Sequence, residues 1–337
     1  MVEIDGSKGG SILRVATGIS TCLNIPIKVI HIRKERENPG VQPQHLAGIE
    51  AIAQACGGIV KGARIGSTEV DYIPGRNWKK EVVISLPTAG SISLALQPLL
   101  LTAPTLPYGL KVEVSGGGTF GKWAPPLPYW QYVAFPLFQR FHYKIEMEIL
   151  RHGFYPVGGG RVRVYLEPLT FTGALDFRER GDIRSFHILS LVSETLRKRK
   201  VGERMVETAE KQLRQFFHNP ICSRMEYVEA DSPGCGIVVW AQCEKSLLGA
   251  DGIGELGKPA EKVASEAVQT LLEDLRTDSA CDRFLADQIL PFLALFGGVI
   301  RVPQMTEHIR ILLPVLEKLV SCHFIVQFPY ISCEKAR

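Results

Sequence analysis

The side chains best suited to handling a polyanion lie close together: Arg33, Lys34 and Arg36 crowd one loop, and Arg14 sits in the helical run before it. A guanidinium is a rigid fork of donors that meets phosphate oxygens two at a time. Beside the N-terminus of a helix opening at Pro43, such a cluster forms a phosphate seat, although a solvated basic turn accounts for the same residues. Seven of the eight histidines (His31, His45, His142, His152, His187, His218 and His323) show no HxxxH or HExxH spacing and read as structural or surface groups. His308 differs in context. It follows a strand ending at Pro303, and Pro314 is cheap only in a helix's first turn, so the helix is predicted to begin near Leu312. His308 then lies in the connection just ahead of free helix amides, which attract anions and disfavour imidazolium. A neutral imidazole facing a phosphate is a nucleophile; a bland surface histidine fits the same position. The glycine runs at 116–118, 158–160 and in GKP at 257–259 match neither a GxxxxGK[ST] loop nor GxGxxG, and read as strand ends and tight turns.

The elements that must position these groups show a weak internal repeat with a period of about 80 residues. Gly10-Ser11-Ile12 and Gly90-Ser91-Ile92 each open an apolar helix, followed by the strands IPIKVIHIR and GLKVEVSGG and by second helices starting at Pro43 and at Pro125-Pro126. A third copy is expected from near Phe284, through GGVIRVP, to the helix PVLEKLV. Between the second and third copies, ERMVETAEKQLRQFF and KPAEKVASEAVQTLLEDLR read as amphipathic helices around the strands SRMEYVEA and GIVVWAQCE. Period-two alternation in RVRVYLEP points to antiparallel, half-buried strands. The expected class is α/β of the α+β type: three similar repeats with mixed sheets over 1–183 and 278–337, and a smaller inserted α/β domain over 184–277.

Composition sets the outer bounds. The chain has 337 residues, 45 % hydrophobic and 22 % charged, which suffices for a substantial core. No apolar run reaches membrane-spanning length and MVEIDGSKGG lacks the apolar core of a signal peptide, so no membrane partner and a cytoplasmic location are expected. The eight cysteines show no CxxC or zinc spacing and read as reduced thiols. A net charge of +4 is too small to announce nucleic acid, so any polyanion site must be local.

Taken together, HIRKERENPGVQPQHL, PTAGSISLALQ, RHGFYPVGGG, RFLADQ and MTEH resemble, in order and spacing, the RNA 3'-terminal phosphate cyclase family. The resemblance implies three α/β repeats with a small α/β insert, and a ligase that turns an RNA 3'-phosphate into a 2',3'-cyclic phosphate using ATP and a divalent cation, Mg2+ or Mn2+. His308 corresponds to the residue that accepts AMP, and Arg14, Arg33, Arg36 and Gln44 to positions around the phosphates. Gln97, Phe284, Leu285, Ala286, Asp287 and Gln288 correspond to ATP-binding residues, with Pro125 and Pro126 covering the adenine opposite Phe284. The chain departs from the family's pattern in four places. Lys8-Gly9-Gly10-Ser11 replaces a longer loop with an acidic metal partner, leaving Glu35 or Asp287 as metal candidates. Phe284 stands where tyrosine is frequent, Ile311-Leu312 replaces a Thr-Asn pair that would cap a helix, and GGGTFGKW lacks the acidic or amide residue that the family tends to carry after GGT. Two alternatives are a non-catalytic cyclase-like RNA-binding protein in ribosome assembly and an enolpyruvyl-type transferase on a related repeat fold. Retention of His308 argues against the first, and the second needs no adenylated histidine.

Overall fold

Short apolar runs at the N-terminus become strands, and each parallel pair is joined by a helix, as parallel strands require. In the computed structural model, which describes residues 1–122 and 124–335, β1 (Val2–Asp5) lies parallel to β2 (Ile27–Ile30) with α1 (Gly10–Leu23) between them. After α2 (Pro43–Cys56) come β3 (Ile59–Lys61) and β4 (Val70–Ile73), giving the order β1-β2-β4-β3. Both helices stop on left-handed residues, Asn24 at φ 58° and Gly57 at φ 70°.

The same wiring recurs. In the second unit β5 (Glu81–Ser91), α3 (Ile92–Leu100) and β6 (Leu110–Gly118) precede a helical segment, followed by β7 (Ile145–Arg151) and β8 (Arg161–Leu166) in the order β5-β6-β8-β7. That segment comprises α4 (Leu127–Tyr129), a π turn over Trp130–Ala134 and α5 (Phe135–Phe138).

The third unit opens with β9 (Leu175–Phe177) and is then interrupted. A separate sheet comes next: β10 (Ile183–Ser193), α6 (Val201–Leu213), β11 (Ile221–Val228), β12 (Cys235–Cys243), β13 (Leu247–Ile253) and α7 (Ala260–Arg276). Its strand order is β11-β10-β12-β13. The third unit resumes with α8 (Arg283–Phe296), β14 (Gly298–Arg301), α9 (Glu307–Leu319), β15 (Cys322–Gln327) and β16 (Tyr330–Lys335). With β9 parallel to β14, its order is β9-β14-β16-β15, the same pattern a third time. The third copy therefore starts before the insert and not at Phe284. A strand of three residues carries too little periodicity to be seen in the sequence.

The α+β class with mixed sheets is as expected, and the hydrophobic interior falls into two clusters, one shared by the three units and one inside the inserted sheet and its helices. None of the described helices is long and apolar enough to cross a membrane. Helix α1 is buried nearly all round, because it touches α2, α3 and α9 at once. The start of α9 differs from the sequence reading. It begins at Glu307, capped by Thr306, whose hydroxyl accepts from the Ile309 amide at 3.1 Å, and Pro314 lies inside it. Pro98 and Pro291 also lie inside α3 and α8, so proline does not delimit helices in this core. Packing holds these helices together despite the missing amide.

Candidate functional site

Beyond the C-terminal ends of β1 and β2 the chain makes two turns, and their polar groups meet the start of α1 and α2. Arg14, on α1, is only 6 % exposed, and its Nε donates to Gln97 Oε1 at 2.6 Å. Burial, and then the nearby Arg33, pull its pKa down to about 9, so at neutral pH it is a buried cation. Among the described residues no carboxylate forms an ion pair with it. Gln97 passes the contact on, its Nε2 donating to Gln288 Oε1 at 2.8 Å. Arg33 holds a left-handed backbone, φ 56°, and its Nε and NH2 donate to the Asn38 carbonyl at 3.2 and 3.1 Å. Burial and Arg36 lower its pKa also. Arg36 donates from Nε to the Lys8 carbonyl at 2.8 Å and reaches Glu307 Oε1 at 3.7 Å, which ties this loop to α9.

His45, read from the sequence as a structural or surface group, lies at the centre of this cluster and is 1 % exposed. Its Nδ1 accepts from the Gln42 amide at 3.3 Å, and its Nε2 faces Gly10 so closely that a Cβ there would lie 2.3 Å away. Burial, Arg14 and Arg33 hold its pKa well below the ordinary imidazole value, so it is neutral, with Nε2–H turned towards Gly10. The helix-start pattern QPQH, with histidine at the third helical position, was the signal available in the sequence. Gln44 points the other way, its Oε1 being 3.4 Å from where a Cβ on Gly90 would sit.

His308 lies in the first turn of α9 rather than ahead of it. Its Nδ1 is 3.2 Å from Asp287 Oδ2, and Asp287 Oδ1 accepts from the Thr306 hydroxyl at 2.8 Å. Nδ1–H donating to this carboxylate leaves the Nε2 lone pair free on a ring that is 46 % exposed. Thr306 thus does two things at once: it caps the helix and fixes the carboxylate that orients the histidine. It also supplies the cap that the Ile311-Leu312 departure was expected to remove, since those residues fall within α9.

The adenine-side candidates meet around Tyr129. Phe284, in the first turn of α8, stands edge-on to the Tyr129 ring at 6.2 Å, and Pro126 immediately precedes the turn that carries Tyr129, with Pro125 beside it. Buried Asp282 caps α8, accepting from the Phe284 and Leu285 amides, each at 2.9 Å, while its carboxylate also receives the Tyr129 hydroxyl at 2.7 Å and the Gly249 amide at 2.8 Å. Leu285 and Ala286 are fully buried, so their side chains pack into the core and cannot face a ligand. Tyr129 and Thr306, like His45, escaped the sequence reading because their roles depend on partners distant in the chain.

A protein-held metal does not fit this donor set. Both Asp287 oxygens are engaged, and Glu35 pairs with Lys8 at 2.7 Å. Among the described residues no three His, Cys, Asp or Glu side chains come together in a way that could hold an ion. What the site offers is a buried, unneutralised guanidinium, further arginines and a carboxylate-oriented imidazole.

Comparison with known proteins gives a consistent picture. The family model described as RNA 3'-terminal phosphate cyclase matches residues 5–326. A protein of that name from Thermococcus gammatolerans is 40 % identical over 330 residues, covering 97 % of this chain and 94 % of its own. The Thermococcus kodakarensis protein of the same name is likewise 40 % identical over 97 % and 94 %, and that of Ignicoccus hospitalis 35 % over 95 % of each. Among solved structures, the enolpyruvyl transferase NikO from Streptomyces tendae aligns with 100 % of this chain, which spans 48 % of that one, at 9 % identity and a TM-score of 0.39, too weak a likeness to carry an argument. With that match running from β1 to β15 and near-complete relatives at this identity, the chain belongs to the RNA 3'-terminal phosphate cyclase family.

Proposed function

We propose that this protein converts an RNA 3'-terminal phosphate into a 2',3'-cyclic phosphate at the expense of ATP, through AMP carried on His308. The observation that carries this reading is Arg14: a buried guanidinium with no carboxylate partner among the described residues is costly unless an anion completes it. His308 Nε2 attacks the α-phosphorus of ATP, and pyrophosphate leaves. The RNA 3'-phosphate then displaces histidine from the AMP phosphorus, forming an RNA–AMP anhydride. Finally the neighbouring 2'-hydroxyl attacks the RNA phosphorus and AMP departs. Ring closure needs little beyond positioning, since tethered groups reach effective molarities on the order of 10⁵ M or more.

Within this reading Asp287 holds His308 in the tautomer that attacks, and Arg14, Arg33 and Arg36 offset charge growing on phosphate oxygens. Gln97 fixes Arg14 beside the phosphates, Gln44 borders the site on the Gly90 side, and Phe284 with Pro125, Pro126 and Gln288 encloses the adenine. A divalent cation, Mg2+ or Mn2+, accompanies the phosphates of ATP; Glu35 is the one metal candidate whose carboxylate could be freed, by releasing Lys8. The deciding experiment is incubation with α-phosphate-labelled ATP. An acid-labile, alkali-stable AMP adduct is expected in the parent and none in His308→Ala. An equal adduct in that variant removes His308 from the mechanism.

A further inference from the structure

We propose that the loop 153–160, with Tyr155 at its tip, is where the RNA strand leading to the reacting end stacks a base; this rests on the reading of the neighbouring site as an RNA 3'-phosphate site. Tyr155 is 81 % exposed and Val157 55 %, with exposed Pro156 between them. A single bare apolar side chain is ordinary. This one stands on a fixed base. Beneath it the buried Phe154 ring stacks on Phe120 with centroids 6.1 Å apart, its carbonyl accepts from the Gly158 amide at 2.7 Å, and the Val157 amide donates to Ser232 Oγ at 3.1 Å. The ring is therefore presented by a preorganised loop and not by a floppy one.

Close backbone packing connects the loop with the segment that Gln44 faces. A Cβ on Gly90 would lie 3.4 Å from Gln44 Oε1, one on Gly117 would lie 2.9 Å from the Gly90 carbonyl, and one on Gly158 would lie 3.0 Å from the Ala89 Cα. The Gly160 amide closes the set by donating to the Gly117 carbonyl at 3.0 Å. Between Leu86 and Ser91 the ladder of β5 with β6 is broken, which frees the backbone of 87–90 from the sheet along this path. Arg151 and Asp231 neutralise one another at 2.6 Å, and Arg161 adds an exposed cation at the far end of the loop. An exposed flat ring on a fixed loop, with Asp231 beside it held by Arg151, suits a single strand of RNA, whose unstacked bases pack on aromatic faces. A protein partner is disfavoured, because stable interfaces need about 800 Å² from each side and the bare apolar surface here is three residues.

The test is fluorescence anisotropy of 3'-phosphorylated single-stranded oligoribonucleotides, from a dinucleotide to a decamer, with the full-length parent, Tyr155→Ala and Tyr155→Trp. Tyr155→Ala is expected to bind the decamer about 5- to 100-fold more weakly, the range that loss of one base–aromatic stack produces. Dinucleotide affinity and AMP labelling should stay unchanged, and Tyr155→Trp should keep parent affinity. Decamer binding by Tyr155→Ala equal to the parent's overturns the proposal. So does a parent dimer in sedimentation that Tyr155→Ala breaks, which assigns the tip to self-association. Failure of the parent to take up AMP defeats the catalytic reading alone, and the anisotropy series still decides the role of the tip.

Discussion

At the scale of single residues, charge and burial pull in opposite directions around Arg14, and His45 carries the consequence for stability. Its pKa is depressed in the folded protein by burial and by Arg14 and Arg33, while in the unfolded chain it returns to about 6.5. Below that value the unfolded chain binds a proton that the folded protein refuses, so stability is lost as pH falls from about 6.5 towards the depressed value. His152, lowered by burial to about 4, acts in the same direction. The expected outcome is a thermal midpoint that drops between pH 7 and pH 5, with a shallower drop in His45→Gln; equal slopes in the two proteins would show that His45 is protonated without cost in the fold.

At the scale of elements, the decisive object is the start of α9. Thr306 joins the helix amide of Ile309 to Asp287, and Asp287 joins it to His308. Thr306→Ala should cost about 1 kcal/mol of stability, the usual value of a lost cap. It should slow AMP attachment by more than that loss explains, since Asp287 is then free to turn away from the imidazole. Thr306→Ser keeps the hydroxyl and should restore both. Denaturant melts beside single-turnover AMP labelling separate the two effects, and full labelling speed in Thr306→Ala would show that Asp287 needs no support. Close helix contact is equally specific: on α2 a Cβ at Gly48 would lie 2.8 Å from the Ala95 carbonyl on α3, so only glycine lets these helices approach.

At the scale of the whole molecule, the insert is joined to the repeats through a buried carboxyl. Asp282 caps α8 and also receives the Gly249 amide from β13 at 2.8 Å, so one side chain links α8 to the inserted sheet. Burial pushes this carboxyl up to about 7 despite the donors around it. The sign is opposite to that of His45. A raised acid stabilises the fold fully below its unfolded value of about 3.9, and that stability is lost as pH rises through about 7. Asp282→Asn should be less stable than the parent at pH 5, having lost an acceptor, and the gap should narrow by pH 8. A constant gap across that range would mean that Asp282 is ionised throughout.

The order of residues alone was enough for the class of the fold, the helices that open the first two repeats and the helices of the insert. Those conclusions rest on periodicity, on residue type and on motifs whose order is local in the chain. It was not enough to say where the third repeat begins, because β9 is three residues long and stands apart from its partner β14 by the entire insert. Nor did it place His308 inside α9, since the rule that proline ends helices is a local cost that packing against α1 and α8 overrides. The partners of the site likewise came only with tertiary packing. Gln97 reaches Arg14 and Gln288, His45 meets Gly10, and Tyr129 meets Asp282, all across long sequence separations. A hydrogen bond between distant residues leaves no period in the sequence, because the geometry that makes it exists only once the helices have packed.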